Sequence, residues 1–331
     1  MHILLSRTDR IGDLILSTPA IATVRASCPD ARVTIVTSEY NRVAVERNPN
    51  LDEVCSIRHS ERASSFASRF RGKVDLAIAL APRAADFAIV AATRAPRRIG
   101  YTYVRRYFAR LTGRMYLTDL ALSQADPWLL DRDPQRTVRH EVEELLDLVA
   151  RAGATRRVED LRIDVVDRDR VAVGHLPANS LTFHLADHWL HGGSTLENTI
   201  VLLRELRRFG MAVVVTHAAE HRSQAAVISH ANVVDAVVGD LTFFEWAAAF
   251  ERARCVVTVD TAATHVASAM RKPTVVAFEH RFFRLSSQEW APYHVPHAIV
   301  RKPAHETSAE LDRLRADVVA GVAAVLERVH A

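Results

Sequence analysis

Residues 1–37, MHILLSRTDRIGDLILSTPAIATVRASCPDARVTIVT, contain the pattern that decides the fold class. The apolar run at residues 3–5 predicts a short strand, a turn-rich loop covers residues 7–13, and an amphipathic segment follows to about Ser27. Residues 32–37 then predict a second strand. A strand, a loop, a helix and a second strand in this order form the repeating unit of a parallel α/β sheet.

The same unit recurs along the chain. Further strands are predicted over residues 54–57, 76–80, 181–185, 211–216, 255–259 and 274–278. An apolar face within residues 138–149 predicts a helix that ends near Gly153, and a long amphipathic helix is expected from Thr307 onward. The 331 residues suffice for two domains. We expect an N-terminal domain over 1–165, a C-terminal domain over 166–306 and a terminal amphipathic helix over 307–331.

Three helix starts are expected from caps. Ser194 and Glu197, after a loop that contains Gly192 and Gly193, match a capping box, as do Thr242 with Glu245 and Thr307 with Glu310. Ligands of open α/β sheets bind beyond the carboxyl ends of the strands. The sequence therefore directs attention to the loops that follow Ser6, Leu185, Thr216 and Val259.

Composition narrows the class of protein. The chain is 49% hydrophobic and 25% charged, as soluble globular proteins are. Its net charge of +4 is too small to favour nucleic-acid binding over the whole surface, whereas a local basic patch suits an anionic small molecule or glycolipid. The apolar stretch at 74–95 is broken by charges, and three scattered cysteines suit a reducing compartment. We expect a cytoplasmic protein that binds no nucleic acid.

Metal and cofactor chemistry find little support in the sequence. Sixteen histidines are present, but the groups His184/His188/His191 and His217/His221 lack the HExxH spacing or a third close ligand. No GxGxxG follows the first strand, and GxSxG and Walker motifs are absent from the sequence. We expect no metal and no cofactor.

Asp13, in the loop after the first predicted strand, has two interpretations. It stands where a helix could begin, and a capping carboxylate is the commoner role for such a residue. Residues 17–19, STP, also look like a helix start with proline at the first helical position. A helix that began there would leave Asp13 free to point into a cleft. Gly12, just before it, allows close approach of the backbone.

The loop after the strand at 255–259 reads DTAATH over residues 260–265 and leads into a helix. Backbone N–H groups and the helix dipole at such a start favour a phosphate, and His265 could add a donor. The alternative is an Asp–Thr cap followed by a half-buried histidine. The residues alone leave the two interpretations even.

These stretches taken together resemble the family-9 glycosyltransferases, the ADP-heptose:lipopolysaccharide heptosyltransferases and their relatives. The resemblance rests on Gly12–Asp13 after the first strand, on TPA at 18–20, on Pro29–Asp30, and on RRIGY at 97–101, which looks like the family's turn after its fourth strand and helix. It rests also on Asp260, Thr261 and His265, followed by KPTVV at 272–276. The motifs cover most of the chain in the family's order.

The resemblance implies a GT-B fold, with two facing Rossmann-like domains and a cleft between them, and an inverting, metal-free transfer. It assigns Asp13 as the general base that takes the proton from the acceptor hydroxyl. It places the nucleotide on the C-terminal half. The residues implied in donor binding are Asp260, Thr261, Ala262, Ala263, His265, Glu220, expected to hold a ribose hydroxyl, and His188.

Three departures from the family pattern bear on donor binding. Ala262 stands where the family usually has glycine, which narrows the backbone's choice of dihedral angles. His188 stands where a lysine often contacts the phosphates. The loop at 217–219 reads HAA and lacks the expected glycines. These departures leave open a donor other than ADP-heptose.

Residues 101–114 interleave arginines with aromatic residues. Such a mixture suits an anionic saccharide or glycolipid acceptor, whereas the alternative is a solvated helix face with aromatic packing beneath it. Arg105 and Arg106, with Arg7 and Arg10 from the first loop, are the candidates for acceptor binding. An acceptor on a lipid would bring the protein into peripheral contact with the inner face of the cytoplasmic membrane.

The leading hypothesis is therefore an inverting, metal-independent glycosyltransferase that moves heptose from ADP-heptose onto a lipopolysaccharide core or similar glycan. One rival is a GT-B enzyme that uses another nucleotide-sugar. A rival of another class is a non-catalytic paralogue that binds a glycan or a partner protein.

Overall fold

The structure, a computed structural model, describes residues 1–58, 60–191 and 194–330. Gly192 and Gly193, expected in the loop after the strand at 181–185, lie outside the described residues. The chain divides into two compact units, Met1–Arg162 and Ile163–Ala331. Each unit contains one six-stranded parallel sheet with flanking helices, which confirms the predicted fold class.

The first unit builds its sheet in the order β3-β2-β1-β4-β5-β6, with every neighbouring pair parallel. Its strands are β1 (His2–Ser6), β2 (Arg32–Ser38), β3 (Glu53–Ile57), β4 (Leu76–Ala79), β5 (Arg97–Tyr103) and β6 (Asp119–Ser123). Its helices are α1 (Ile11–Leu16), α2 (Thr18–Ser27), α3 (Ala63–Ala67), α4 (Ala84–Ala92), α5 (Tyr107–Tyr116), α6 (Pro127–Arg132) and α7 (Glu141–Arg151). The predicted helix near Gly153 is thus confirmed as α7.

One sequence interpretation in this unit is wrong. Residues 97–101, expected as a turn, form most of β5, an interior strand paired to β4 and β6. Ile99 and Tyr101 are buried there. Gly100 serves close packing, since a Cβ at that position would lie 2.8 Å from the Leu117 side chain. A glycine inside a strand can therefore reflect packing and does not require a turn.

The second unit repeats the topology in the order β12-β11-β10-β7-β8-β9. Its strands are β7 (Ser180–Leu185), β8 (Val213–His217), β9 (Ala236–Val238), β10 (Ala253–Val259), β11 (Thr274–Phe278) and β12 (His297–Arg301). Its helices are α8 (Asp167–Ala172), α9 (Asp187–Leu190), α10 (Leu196–Leu206), α11 (Arg222–His230), α12 (Phe243–Glu251), α13 (Ala262–Ala269), α14 (Phe283–Glu289) and α15 (Ser308–His330).

Two of the three predicted caps are found. Thr242 and Glu245 form a reciprocal capping box at the head of α12. The hydroxyl of Thr307 accepts from the backbone N–H of Glu310 at the head of α15. The prediction of Ser194 as a cap is wrong by one residue, because α10 begins at Leu196 and its cap is Thr195.

The terminal helix α15 belongs to the second unit. Its apolar face enters the core beneath β10, β11 and β12 through five buried residues, Leu314, Val318, Val319, Val322 and Val325. The side chain of Val329, part of the predicted pattern, lies outside what is described. Among the described helices, none has the length and apolarity that a membrane crossing requires.

The topology fixes where each unit can bind a ligand. In both sheets the first strand of the unit lies beside the fourth, and the chain winds outward from that pair in opposite directions. Such a switch point opens a crevice at the carboxyl ends of the two central strands. The crevice lies beyond β1 and β4 in the first unit, and beyond β7 and β10 in the second.

Candidate functional site

Asp13 lies at the crevice of the first unit and does not cap a helix. Helix α1 begins at Ile11 with Arg10 as its cap, which places Asp13 in the first turn. The second predicted start is also real, because α2 begins at Thr18 with Pro19 in its first turn. The chain thus forms two short helices in succession, and the capping interpretation of Asp13 is wrong.

Arg7, the residue after β1, is buried beneath Asp13 with only 2% of its side chain exposed. Its Nη2 lies 3.4 Å from the Asp13 carboxylate, and its Nε donates to Asp9 at 3.0 Å. Its Nη1 donates to Glu141 at 2.9 Å and to the carbonyl of Leu80, after β4, at 2.8 Å. The guanidinium therefore ties the two central strands together and fixes the surroundings of Asp13.

The protonation of Asp13 responds to this environment. Its side chain is 19% exposed, and burial raises its pKa from 3.8 to about 7. Arg7 opposes that rise, whereas the negative charges of Asp9 and Glu141 add to it. Burial alone would lower the pKa of Arg7, but the surrounding carboxylates hold it well above its ordinary value. Asp13 is thus a carboxyl poised near neutral pH beside a permanent cation.

Glu141, the first residue of α7, was not singled out from the sequence. It is buried and accepts from Arg7 and, at 2.7 Å, from the phenol of Tyr101. Tyr101 is part of the RRIGY motif, so one role of this motif is to hold Glu141 against Arg7. The signal in the sequence was weak, because Glu141 is one of several acidic residues in the first turn of a helix.

A cavity of about 490 Å³ opens at the same edge of the first sheet. It lies beyond β1, β2 and β3 and is lined by Thr8, Asp9, Ser38, Glu39, Tyr40, Ile57, Arg58, Glu61, Ala63, Arg83, Ala85 and Ile89. Its size is in the range of pockets for small ligands. Its basic residues are Arg58 and Arg83, neither of which the sequence reasoning selected.

The four predicted acceptor-binding arginines are dispersed. Arg7 is buried as described, and Arg10 is exposed at the start of α1. Arg105 pairs with Asp126 and stacks on Trp128 at 3.7 Å. Arg106 is exposed and stacks on Tyr103.

A buried carboxyl, Asp86, stands beside this cavity. It accepts from the hydroxyls of Ser6 at 2.7 Å and Thr8 at 3.0 Å. Burial raises its pKa to about 6, although the hydrogen bond from Ser6 acts in the opposite direction. Asp86 thereby anchors α4 to the end of β1 and fixes the loop that leads to Asp13.

The crevice of the second unit has a different chemistry. Helix α13 starts at Ala262 directly after β10, with Thr261 as its cap residue. The Thr261 side chain does not cap the helix, and its hydroxyl donates to the carbonyl of Val259 at 3.3 Å. The Thr261 hydroxyl therefore does not accept from the first-turn N–H groups of Ala262 and Ala263. N–H groups at a helix start can donate to an anion. Ala262 has helical backbone, so glycine is not needed there.

Three other donor-site candidates surround the carboxyl edge of this second sheet. Asp260 directly follows β10 and is half-buried. His265 lies in the first turn of α13 and is 5% exposed, more buried than the half-buried state considered from the sequence. Glu220 is exposed in a 3-10 turn, residues Ala219–His221, after β8.

His188 is about half-exposed in α9, with its Nδ1 3.6 Å from Glu279. A cation that the sequence reasoning missed lies beneath it. Lys302, after β12, is buried and donates to Glu279 at 2.8 Å, to the carbonyl of His191 at 2.6 Å and to the carbonyl of His188. Burial lowers the pKa of Lys302, against the effect of Glu279. Lys302 thus braces the segment after β7, which contains His188.

The histidines near β7 and β8 each have a structural contact of their own. His184 is buried within β7, as expected, and burial lowers its pKa to about 3, with further contributions from His221 and His217. Its Nδ1 lies 2.9 Å from the hydroxyl of Thr216. In the portion of the chain that is described, no three histidine, cysteine or acidic side chains converge on a metal position.

His217 fills the space beside Gly239. Its imidazole lies where a Cβ at that position would have to go. His217 is the last residue of β8 and Gly239 directly follows β9, so both lie at the carboxyl edge of the second sheet. The missing glycines of the 217–219 loop therefore have a structural consequence, because a bulky ring occupies this edge.

The sequence model described as glycosyltransferase family 9 (heptosyltransferase) matches residues 200–316, which include β8 to β12 and α13. The resemblance to family 9 is confirmed. No curated protein matches this chain in sequence.

Solved structures match the fold of this chain over nearly its full length. A family-9 glycosyltransferase from Veillonella parvula is 17% identical, with 99% of this chain and 97% of that one covered, at a TM-score of 0.79. The Escherichia coli ADP-heptose lps heptosyltransferase II is 15% identical with both chains fully covered, at 0.73. The E. coli heptosyltransferase WaaC with ADP is 16% identical, with 98% and 99% covered, at 0.65. At these identities the likeness shows the fold, which is that of GT-B heptosyltransferases.

Proposed function

We propose that this protein is an inverting, metal-independent glycosyltransferase in which Asp13 is the general base. The observation that carries the proposal is the placement of Asp13 at the switch point of the first sheet with a pKa of about 7. A general base works best when its pKa is near the operating pH, and carboxylates are tuned upward by burial, as here. A capping carboxylate on the surface would need neither feature.

The proposed mechanism assigns a separate task to each unit. Asp13 takes the proton of the acceptor hydroxyl while that oxygen attacks the anomeric carbon. The bond from that carbon to the nucleoside diphosphate breaks, with inversion of configuration. The diphosphate collects charge as it leaves, and the N–H groups of Ala262 and Ala263 at the start of α13 would stabilise it. One such donor is typically worth about 3–4 kcal/mol.

The proposed donor is ADP-heptose and the proposed acceptor is a lipopolysaccharide core or similar glycan. Two of the similar structures support this choice by their names: one is an ADP-heptose lps heptosyltransferase, and the other is a heptosyltransferase with ADP-2-deoxy-2-fluoro heptose. In this chain Asp260, Thr261, His265, Glu220 and His188 would contact the donor. Arg58 and Arg83 of the cavity join Arg10 and Arg106 as candidates for an anionic acceptor. We place the reaction in the cytoplasm, at the inner face of the membrane.

A second candidate donor is favoured by one observation. The His217 ring occupies the edge beside Gly239, next to the crevice where a nucleotide would lie. A ring there changes the shape and hydrogen-bonding of the surface offered to a nucleobase. A glycosyltransferase of the same fold and mechanism that uses another nucleotide-sugar is therefore the alternative.

Calorimetric titration with ADP, UDP, GDP and CDP tests the proposal. The wild type is compared with Asp260→Ala and with a control, Asp312→Ala, which removes an exposed carboxylate from α15. Selective ADP binding that only Asp260→Ala weakens supports the heptosyltransferase. Selective binding of another nucleotide keeps the mechanism and replaces the donor. Absence of binding even at millimolar nucleotide, weaker than about −4 kcal/mol, overturns the enzyme proposal in favour of a non-catalytic glycan- or partner-binding protein.

Turnover supplies the remaining tests. With a saccharide acceptor, the anomeric configuration of the product by NMR must be opposite to that of the donor sugar. Activity in excess EDTA must equal activity without it. Retention of configuration, or loss of activity in EDTA, contradicts the inverting and metal-free parts of the proposal respectively.

A further inference from the structure

Helix α5 of the first unit turns its apolar side away from the protein. Tyr107, Phe108, Leu111 and Met115 are 65%, 89%, 62% and 73% exposed. The buried residue of this helix is Gly113, where a Cβ would lie 3.0 Å from the side chain of Leu120. The usual surface helix has the opposite arrangement, with its large apolar residues against the core.

The four exposed residues form one surface. They stand at i, i+1, i+4 and i+8, which on a helix of 3.6 residues per turn places them within a sector of about 100°. Single exposed apolar residues are ordinary, whereas a contiguous cluster of large ones marks an interaction site. We call this cluster, Tyr107, Phe108, Leu111 and Met115, the α5 face.

Arginines border the α5 face. Residues 103–118, YVRRYFARLTGRMYLT, contain four arginines and no lysine, aspartate or glutamate. Arg106 and Arg114 are exposed, and Arg110 lies beside the ring of Tyr107. Nearby, Arg105 and Arg132 stack on the half-exposed ring of Trp128, at 3.7 and 3.6 Å. An apolar strip bordered by cations and an aromatic ring is the composition of interfacial membrane-binding helices.

We propose that the α5 face docks on an anionic phospholipid bilayer. Phe108, Leu111 and Met115 enter the boundary between headgroups and acyl chains, and the arginines meet the lipid phosphates. Charge argues against a second copy of this chain as the occupant, because a two-fold contact would bring the same four arginines together. Nucleic acid fits less well, since Leu111 and Met115 offer no ring on which a base could stack.

The position of α5 connects docking with the proposed reaction. The helix follows β5, so its first residues lie at the carboxyl edge of the sheet, the same edge as Asp13. Strands β1 and β5 are separated by β4 alone, a distance of about 10 Å. A saccharide carried on a lipid of the docked membrane would therefore be presented to the edge that holds Asp13. This step rests on the proposed function, whereas docking itself does not.

Vesicle co-sedimentation of the full chain tests the proposal. Vesicles of phosphatidylglycerol and phosphatidylethanolamine are compared with vesicles of phosphatidylcholine alone, at low and high salt. One variant, Phe108→Ser/Leu111→Ser/Met115→Ser, removes most of the α5 face. Its matched control, Val166→Ser/Val171→Ser/Val227→Ser, changes three exposed valines of the second unit. A third variant, Arg106→Gln/Arg114→Gln, removes two exposed cations and keeps the apolar residues.

We expect the wild type and the valine control to bind anionic vesicles and to dissociate as salt screens the charges. The α5 triple variant is expected to bind at least about tenfold more weakly. The double arginine variant is expected to bind about 25-fold more weakly, at about fivefold per arginine. Circular dichroism of each variant verifies folding.

Docking is overturned if the wild type does not bind anionic vesicles, or if the triple variant binds them as well as the wild type does. It is also overturned if the wild type binds no vesicles and forms a dimer in ultracentrifugation that only the triple variant loses. ADP titration of the same samples separates the two proposals, because a chain that binds ADP and ignores vesicles fails docking alone.

Discussion

The two crevices of this molecule have the same topology and opposite chemistry. In each unit the first strand lies beside the fourth, and a short helix follows at the carboxyl edge. At the crevice of the first unit, carboxylates surround one buried arginine, and Asp13 is held at a pKa of about 7. The crevice of the second contains the carboxylate of Asp260 and the N–H groups of Ala262 and Ala263 at the start of α13, whose first turn has no acidic residue.

Under the proposed function, this difference suits each crevice to one partner of the transfer. A general base needs a carboxylate whose pKa is raised toward the working pH. Burial near other acids raises the pKa in this way. A leaving diphosphate needs fixed positive dipoles, which an uncapped helix start supplies. A carboxylate at the start of α13 would repel the leaving diphosphate, and helix N–H groups beside the acceptor could not accept its proton. The comparison therefore predicts which substitutions each crevice tolerates.

The largest effect is expected from Asp13→Asn. Asparagine keeps the shape of the side chain and cannot accept the proton of the acceptor hydroxyl. Loss of a general base typically costs about 10²–10⁴-fold in turnover. ADP affinity, which belongs to the second unit, should stay within about twofold of the wild type. In the wild type, kcat/KM should rise with pH through about 7 as Asp13 ionises, and pH–rate measurement checks both expectations.

Asp52→Asn is the matched control for that experiment. Asp52 lies at the amino edge of the same sheet, where it accepts from Arg25 and from the backbone N–H of Val33. Turnover should be unchanged by this substitution. If Asp52→Asn reduced turnover as much as Asp13→Asn does, a general loss of structure would explain both reductions, and Asp13 would have no specific role in proton transfer.

The same Asp13→Asn variant should be more stable than the wild type at pH 8. The pKa of Asp13 is higher in the folded state than its ordinary 3.8, so the folded protein binds more protons between about pH 4 and 7. Stability from this group therefore falls as pH rises through that range. The gain at pH 8 is at most about 4 kcal/mol, at 1.4 kcal/mol per pH unit, and vanishes near pH 3.

Urea unfolding at several pH values measures this gain, and Asp52→Asn provides a control of opposite sign. The hydrogen bonds from Val33 and Arg25 lower the pKa of Asp52, which makes its charge stabilising above pH 4. Asp52→Asn should thus lower stability at pH 8. An Asp13→Asn protein that is less stable than the wild type at pH 8 contradicts the burial argument.

Glu141→Gln is expected to act in the opposite direction to Asp13→Asn on stability. It removes one counter-charge from the buried Arg7, which should cost about 3 kcal/mol. Because the charge of Glu141 raises the pKa of Asp13, the acid limb of the pH–rate profile should move to lower pH. Tyr101→Phe, which removes a hydrogen bond and keeps the charge, should cost about 1 kcal/mol and leave the limb in place. Equal shifts in both variants would exclude an electrostatic role for Glu141.

The positions of Asp13, Asp260 and the start of α13 after strand ends were predictable from the sequence because each lies within one short local pattern. Periodicity identified the strands buried on both faces, such as β10. Strand β9 has only partly buried residues and β12 has one buried residue, Val300, so neither gave such a signal. The turn expected at residues 97–101 came from the resemblance to family 9, and the structure places these residues in β5. Pattern and loop position therefore sufficed for the architecture and for residues adjacent to strand ends.

Arg7, Glu141 and Lys302 show what local patterns omit. The ion pair of Arg7 with Glu141 joins residues 134 positions apart, and Lys302 contacts carbonyls 111 and 114 positions away. Such contacts depend on tertiary packing, and nothing within a window of ten residues distinguishes these charges from surface ones. Arg7 in particular was expected to contact the acceptor, and its burial gives it the role of holding Asp13 in place.

The smallest effect is expected when proline replaces the first residue of a helix. This change also distinguishes the two crevices most clearly, because it removes one N–H group from only one of them. Proline is tolerated at that position and removes one N–H group. Thr261 already has the extended backbone that a residue before proline prefers, with φ −149° and ψ 177°. Ala262→Pro should therefore keep α13 intact and remove one donor to the diphosphate. ADP binding should weaken by about tenfold to a hundredfold, the usual range for a hydrogen bond to a charged group.

Ala84→Pro makes the same change at the equivalent helix of the first unit. Helix α4 follows β4 as α13 follows β10, and its cap Arg83 is also extended, with φ −121° and ψ 144°. Calorimetry should show ADP affinity unchanged in this variant, because the first crevice is built for a proton and not for a phosphate. Equal weakening by both prolines would mean that the two crevices do not divide the reaction as proposed. Weakening by Ala84→Pro alone would place the nucleotide on the first unit and reverse the comparison.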